Sequence, residues 1–142
     1  MKTLELTDRA LDYAVALAEG ALYQPGSVRA PFYIWPGNPT PRYSAGAPNY
    51  TTGPAGDHII DREGISVVRC NDLYFPPSEG KDAYYEPYWK AQLWRLLPKA
   101  HPSYGDHRRQ YTAYGTTRRE AAMRAYAVSK LGDDIDIPKE LL

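Results

Sequence analysis

Seven prolines fall within thirty residues of one another, at positions 25, 31, 36, 39, 41, 48 and 54. Each fixes its own φ and removes a backbone donor, so most of residues 24–56 is barred from helix and from the middle of a sheet. Only VRAPFYIW, residues 28–35, reads as a strand, and the prolines predict an edge position for it. The remainder, PGNPTPRYSAGAPNYTTGPAG, is too long for a routine connection, although Arg42, Tyr43 and Tyr50 argue that it is ordered. Regular structure must therefore come from the flanks. A length of 142 residues gives one domain, spanning 1–142, with enough chain to enclose a core.

The flanks carry helix signals. Leu6 and Leu11 are spaced as a hydrophobic staple around Thr7 as N-cap, Asp8 suits the positive helix end, and Gly20 supplies the stop. The inward face predicted for this helix is Leu11, Ala14, Val15 and Ala18. At the other end, Thr117 and Glu120 have the spacing of a capping box ahead of a helix over 118–131, closed by Gly132 and burying Ala121, Ala125, Val128 and a flank of Tyr126. Between them, HII at 58–60 and ISVVRC at 65–70 predict a β-hairpin turning at Glu63-Gly64. Residues 71–113 are predicted to mix turns with a short helix over 88–97 that Pro98 ends. Residues 134–137 alternate Asp and Ile as a short edge strand would. The expected fold is α+β: the N- and C-terminal helices packed on a small antiparallel sheet, with long Tyr/Pro-rich loops forming a cleft at its edge.

Composition excludes several classes of function. Seventeen basic residues balance seventeen acidic ones, so no net field draws the molecule to DNA or to an anionic membrane. The single cysteine, Cys70, rules out an internal disulfide framework and reads as a small buried hydrophobe in a reducing compartment. The opening MKTLELTDRALDYAV, with its scattered charges, reads as neither signal peptide nor membrane span. His58, His101 and His107 lack ligand spacing, and His58 reads as a structural hydrogen-bonding residue. Asp133, Asp134 and Asp136 lack the glycine and distal glutamate of a calcium loop, so they read as a solvated helix end. The expectation is a protein that is not an enzyme and carries no metal or cofactor.

The stretch HIIDREGISV and the later EAAMRAYAVSKLGDDIDIPKEL, together with the opening KTLELTDRALDYAVALAEG, resemble the NinX-like family of small bacteriophage proteins of unknown function. Family members tend to carry Tyr-Ser and then Asp-Trp before the isoleucine pair; Tyr43-Ser44 and Asn49-Tyr50 stand at the matching positions here, in a longer loop. The resemblance implies a phage accessory protein of the host cytoplasm. The family brings no assigned chemistry with it.

Binding has more support. From Lys90 to Lys130 there are nine basic residues against only Asp106 and Glu120, interleaved with Trp94, Tyr104, Tyr111 and Tyr114. Guanidinium forks grip phosphate and aromatic faces stack on bases, so this mixture suits a nucleotide or a nucleic-acid strand. It equally suits basic and acidic halves that neutralise each other, internally or across a homo-oligomer. The motif Y-G-T-T-R-R-E, residues 114–120, focuses the question, because two arginines occupy a helix start where the macrodipole disfavours cations. One reading is a phosphate seat in which Gly115 permits close approach, Thr116 and Thr117 offer hydroxyls, and Arg118 and Arg119 hold the anion. The other is a plain capping box screened by Glu120. The expected ligand is nucleotide-like, a cyclic nucleotide immune signal included, with Tyr43, Ser44, Tyr50 and Tyr114 framing the base. A protein–protein module acting on a host defence protein or a host nucleic-acid complex is the alternative.

Overall fold

The computed structural model describes residues 1–26, 31–37, 40–97 and 107–142, which fold as an α+β domain. A short 3-10 turn at Thr3–Glu5 leads into helix α1 (Asp8–Ala18), followed by strands β1 (Leu22–Gln24), β2 (Phe32–Trp35) and β3 (Arg42–Ser44). Helix α2 (Pro54–Glu63) precedes β4 (Ser66–Arg69), β5 (Leu73–Phe75), β6 (Tyr84–Glu86), β7 (Trp89–Leu97) and β8 (His107–Gly115). Helix α3 (Arg118–Leu131) and a 3-10 turn at Lys139–Leu141 complete the chain. The strands form three antiparallel sheets, β1-β2-β3, β4-β7-β8 and the two-stranded β5-β6.

Helix α3 is the centre of the molecule because residues 121–128 are small or apolar at every position but Arg124. Ala121, Ala122, Met123, Ala125, Tyr126, Ala127 and Val128 are all buried, well beyond the single stripe expected from spacing. Alanines on both sides let the helix lie close to β7 and β8, where Ala91, Leu93 and Ala113 are buried beneath it. It also contacts α1, α2, β4 and the 3-10 turn at Thr3–Glu5. In α1 the staple residues Leu6 and Leu11 are fully buried, but the Thr7 side chain makes no capping bond; its carbonyl instead accepts the N–H groups of Ala10 and Leu11. Leu11, Ala14 and Val15 are buried as expected, and Ala18 packs at the core's edge. Tyr13 carries α1 onto the first sheet, its ring meeting Tyr23 edge-on with centroids 5.2 Å apart and Tyr33 at 6.3 Å.

Several expectations are corrected. Residues 54–63 are helix, where the reading of HII placed a strand: Pro54 opens α2 at its first turn and Gly64, at φ 64°, closes it in a left-handed conformation. The turn at Glu63-Gly64 is thus a helix cap, with Ile59 and Ile60 on the buried side. Residues 89–97 are a strand, where a helix was predicted, because pairing with β4 on one edge and β8 on the other supplies hydrogen bonds that a short isolated helix lacks. Strand β2 is the central strand of its sheet, flanked by β1 and β3, and Pro31 and Pro36 lie just outside it. Residues 134–137 form only a single bridge, Asp134 to Lys2. The tail is held by the N-terminus instead: Thr3 N–H donates to the Asp133 carbonyl, and Thr3 Oγ1 to the Gly132 carbonyl at 2.7 Å. Of the turns predicted over 71–113, those at 98–106 lie outside the described residues, 107–113 belong to β8, and 73–75 and 84–86 pair as the β5-β6 ribbon, whose hydrogen bonds come from across the turn between them.

Candidate functional site

The start of α3 is closed by the protein's own groups. Thr117 Oγ1 accepts the Glu120 N–H at 3.0 Å, and Glu120 Oε1 reaches back to accept the Thr116 N–H at 3.1 Å, completing a capping box displaced by one residue. Arg119 grips Asp57 of α2 with both nitrogens of a fork, Nε to Oδ1 at 3.1 Å and Nη2 to Oδ2 at 2.6 Å, and also donates to the Thr52 carbonyl. Arg118 reaches the same carboxylate at 3.4 Å. The hydrogen bond from Arg119 holds the Asp57 carboxyl below its ordinary value, against the opposing effect of burial. Gly115 does permit a close approach, but by the helix: a Cβ there would lie 2.7 Å from the Ala121 nitrogen. The phosphate seat built on Thr116, Thr117, Arg118 and Arg119 is therefore corrected to a capped helix start, since its donors and charges already have partners.

The aromatic half of the expected site divides. Tyr114 is 42% exposed and stacks on Tyr88, with centroids 5.0 Å apart and planes within 4°. It lines a small hollow with Thr7, Leu73 and Arg124. Arg124 is committed there, donating to the Leu6 and Tyr114 carbonyls and pairing with Glu120. Tyr43, Ser44 and Tyr50 instead line a groove on the far part of the chain, together with Trp35, Arg42, Arg62 and Glu19. Tyr50 is 5% exposed, so its ring forms part of the floor and offers no open face to a base. Its hydroxyl is pushed well above the ordinary value by burial. Ser44 is occupied as well: its Oγ accepts the Trp35 indole N–H at 2.8 Å and donates to the Gly46 carbonyl.

The groove has a volume of about 670 Å³, within the range of small-ligand sites. Short strands place its residues: β2 presents Trp35, paired across the sheet with Arg42 at the start of β3. Tyr43 stands 63% exposed at the rim. Arg42 makes no hydrogen bond or ion pair among the described residues, so its guanidinium is available. The opposite wall is a network. Arg62 forms a two-pronged pair with Glu19, at 2.8 and 2.7 Å, and Tyr126 donates its hydroxyl to the same Glu19 at 2.7 Å. Glu63 joins Arg62 to Arg95, which also reaches Ser129. Burial works to raise the carboxyls of Glu19 and Glu63, but bonds from Arg62 and Tyr126 in one case and Arg95 and Arg62 in the other leave both lowered. Glu19, Trp35 and Arg62 went unread in the sequence, because Glu19 and Arg62 lie 43 positions apart and no local pattern joins them.

A second hollow, of about 350 Å³, shares Gly46 and Ala47 with the groove. Its lining is acidic and phenolic: Asp12, Glu140, Tyr23 and Tyr33 with Arg9. Burial raises the Asp12 carboxyl, which accepts the Thr51 N–H at 3.0 Å, and burial also pushes the Tyr33 phenol up to about 12. Such walls disfavour an anion. His58 is exposed on α2, without the structural hydrogen bond expected of it, and Cys70 is half-buried just past β4. Among the described residues no cluster of His, Cys, Asp or Glu is gathered to hold a metal ion, and no described helix is long and apolar enough to cross a membrane.

Fold and lining describe an α+β domain with an open aromatic groove at which Arg42 has no partner among the described residues. No protein-family model matches the chain, and no curated protein matches it either. The likeness to the NinX-like phage family rests on the quoted residues alone.

Proposed function

We propose that this protein acts by capture, breaking no bond, and that its ligand is a nucleotide-like anion held in the groove under Tyr43. One observation carries the reading: Arg42, whose guanidinium has no partner among the described residues, lines a groove of nucleotide size together with the aromatic rings of Trp35 and Tyr43. Arg42 would take a phosphate oxygen in its fork, while the two rings receive the base. The Glu19 carboxylate on the opposite wall favours a ligand whose charge is confined to one end. In the phage setting implied by the resemblance, capture of such a signal in the host cytoplasm would withhold it from a defence system.

Thermal-shift measurements with mononucleotides and cyclic nucleotides test this. A ligand at one hundred times its Kd should add about 2.7 kcal/mol of stability and raise Tm by several degrees. Arg42→Ala is expected to abolish the shift, and the paired change Arg118→Ala, Arg119→Ala to leave it. The reading fails if no nucleotide moves Tm, or if the two variants behave the other way round. A protein–protein module is the second reading, favoured by the β5-β6 ribbon, whose Tyr74 and Tyr85 pair at 5.2 Å while both remain largely in water. Its partner would be a host protein or another copy of this chain. A two-stranded ribbon is marginal alone, so a docked partner would stabilise it.

A further inference from the structure

We propose that the face of the β4-β7-β8 sheet turned away from α3 binds single-stranded nucleic acid. Side chains alternate across a sheet, and Ala91, Leu93 and Ala113 lie buried on the α3 side, so Lys90 and Trp94 of β7 and Tyr114 of β8 point the other way. No described element packs against that second face as extensively as α3 does against the first, although at one end Tyr88, Pro87 and Leu73 line a hollow with Tyr114. Trp94 nevertheless stands there 58% exposed, on the central strand of the sheet. An indole left in water at such a position leaves apolar surface uncovered unless a ligand lies over it.

The register gives the platform its dimensions. Trp94 lies opposite Gln110, and Tyr114 opposite Lys90, so the two rings are four residues apart along the strands and one strand apart across them. At about 3.4 Å per residue that is roughly 14 Å, room for consecutive unstacked bases. Tyr88, lying flat against Tyr114, extends the second stacking surface. Lys90 and Arg108 fall on this same face, and none of its described strand positions carries a carboxylate. The cations complement a phosphate backbone, the rings stack on bases of any sequence, and Gln92 and Gln110 can bond base edges. A duplex keeps its bases stacked on one another and cannot use the rings, so a single strand is the occupant this surface fits. The face is separate from the groove under Tyr43 and requires nothing of it.

Fluorescence anisotropy with short labelled DNA and RNA oligonucleotides at low salt tests the proposal, with the full chain as protein. Single strands should bind, lose affinity steeply as salt is raised, and quench tryptophan emission; the matching duplex should bind more weakly. Trp94→Ala and Lys90→Glu should each weaken binding about tenfold, while Trp94→Phe retains most of it and Arg42→Ala leaves it unchanged. Circular dichroism melts of each variant confirm that the fold survives, as the exposure of Trp94 leads one to expect. The proposal is overturned by absence of oligonucleotide binding, by equal affinity for duplex, or by binding that Trp94→Ala does not change. Capture of a protein through Trp94 without any oligonucleotide affinity overturns it as well.

Discussion

Two arginine-bearing regions of this molecule offered themselves as anion sites, and they differ in one respect. At the start of α3, Arg118 and Arg119 converge on Asp57, which a separate helix brings within 2.6 Å. At the start of β3, Arg42 has a similar aromatic and hydroxyl setting but no carboxylate partner among the described residues. The first region has the greater surplus of charge in the sequence and the lesser capacity to accept an external anion. Availability of a guanidinium is decided by what folds against it, and local charge counts do not register that.

Substitutions at each region test the difference. The largest effect is expected from Tyr126→Ala, which removes a 1% exposed ring and the hydroxyl that steadies Glu19 beneath the groove. A loss of about 3–5 kcal/mol is expected in urea unfolding, and with it the groove's far wall. A loss below about 1 kcal/mol would mean that the network is not what holds that wall in place. Next comes Gly115→Ala, whose methyl would press on the Ala121 nitrogen and force β8 away from the α3 cap. About 1–3 kcal/mol should be lost, with weaker amide protection in the first turn of α3 by hydrogen exchange.

Asp57→Ala sharpens the contrast directly. Freed of their shared carboxylate, Arg118 and Arg119 should acquire measurable affinity for inorganic phosphate by calorimetry, which the unaltered start of α3 should lack. Should phosphate bind the unaltered protein and be lost on Arg118→Ala, Arg119→Ala, the distinction between the two regions disappears.

The smallest effect is a matter of pH. The Glu19 and Glu63 carboxyls are lowered on folding, so they add stability that is complete above their ordinary value of 4.5 and is lost as pH falls through the folded values. Asp12 is raised above 3.8, so it acts in the opposite sense, costing stability at neutral pH and less as acid protonates it. Asp12→Asn keeps an oxygen for the Thr51 N–H, and should be neutral or stabilising at neutral pH with an advantage that fades on acidification. An advantage that grew in acid would reverse the sign of this argument.

Much of the helical frame was legible locally. The capping box at Thr117 and Glu120 placed the start of α3 at its observed residue, and the Leu6 and Leu11 pair announced α1, because caps and staples are contacts within one turn. The Pro54 and Gly64 pair marks α2 just as plainly, but the branched residues between them suggested strands. Residues 89–97 could not be settled from their own pattern, which serves a strand at one end and a helix at the other; β4 and β8 decide it by pairing. Of the expected site, Tyr43 does stand at an open groove, whereas Tyr50 is buried and the α3 cap is occupied. Tyrosine serves as core and as surface in this chain, and burial by distant segments chooses between them.

The ends of α1 and α3 were written into the sequence, because caps, staples and glycine stops act between neighbours within a turn. Only the tertiary structure decided which charges are spent and which remain. Asp57 and Arg119 are 62 positions apart, Glu19 and Tyr126 107, and an ion pair or a buried hydroxyl exists only once folding has closed that distance.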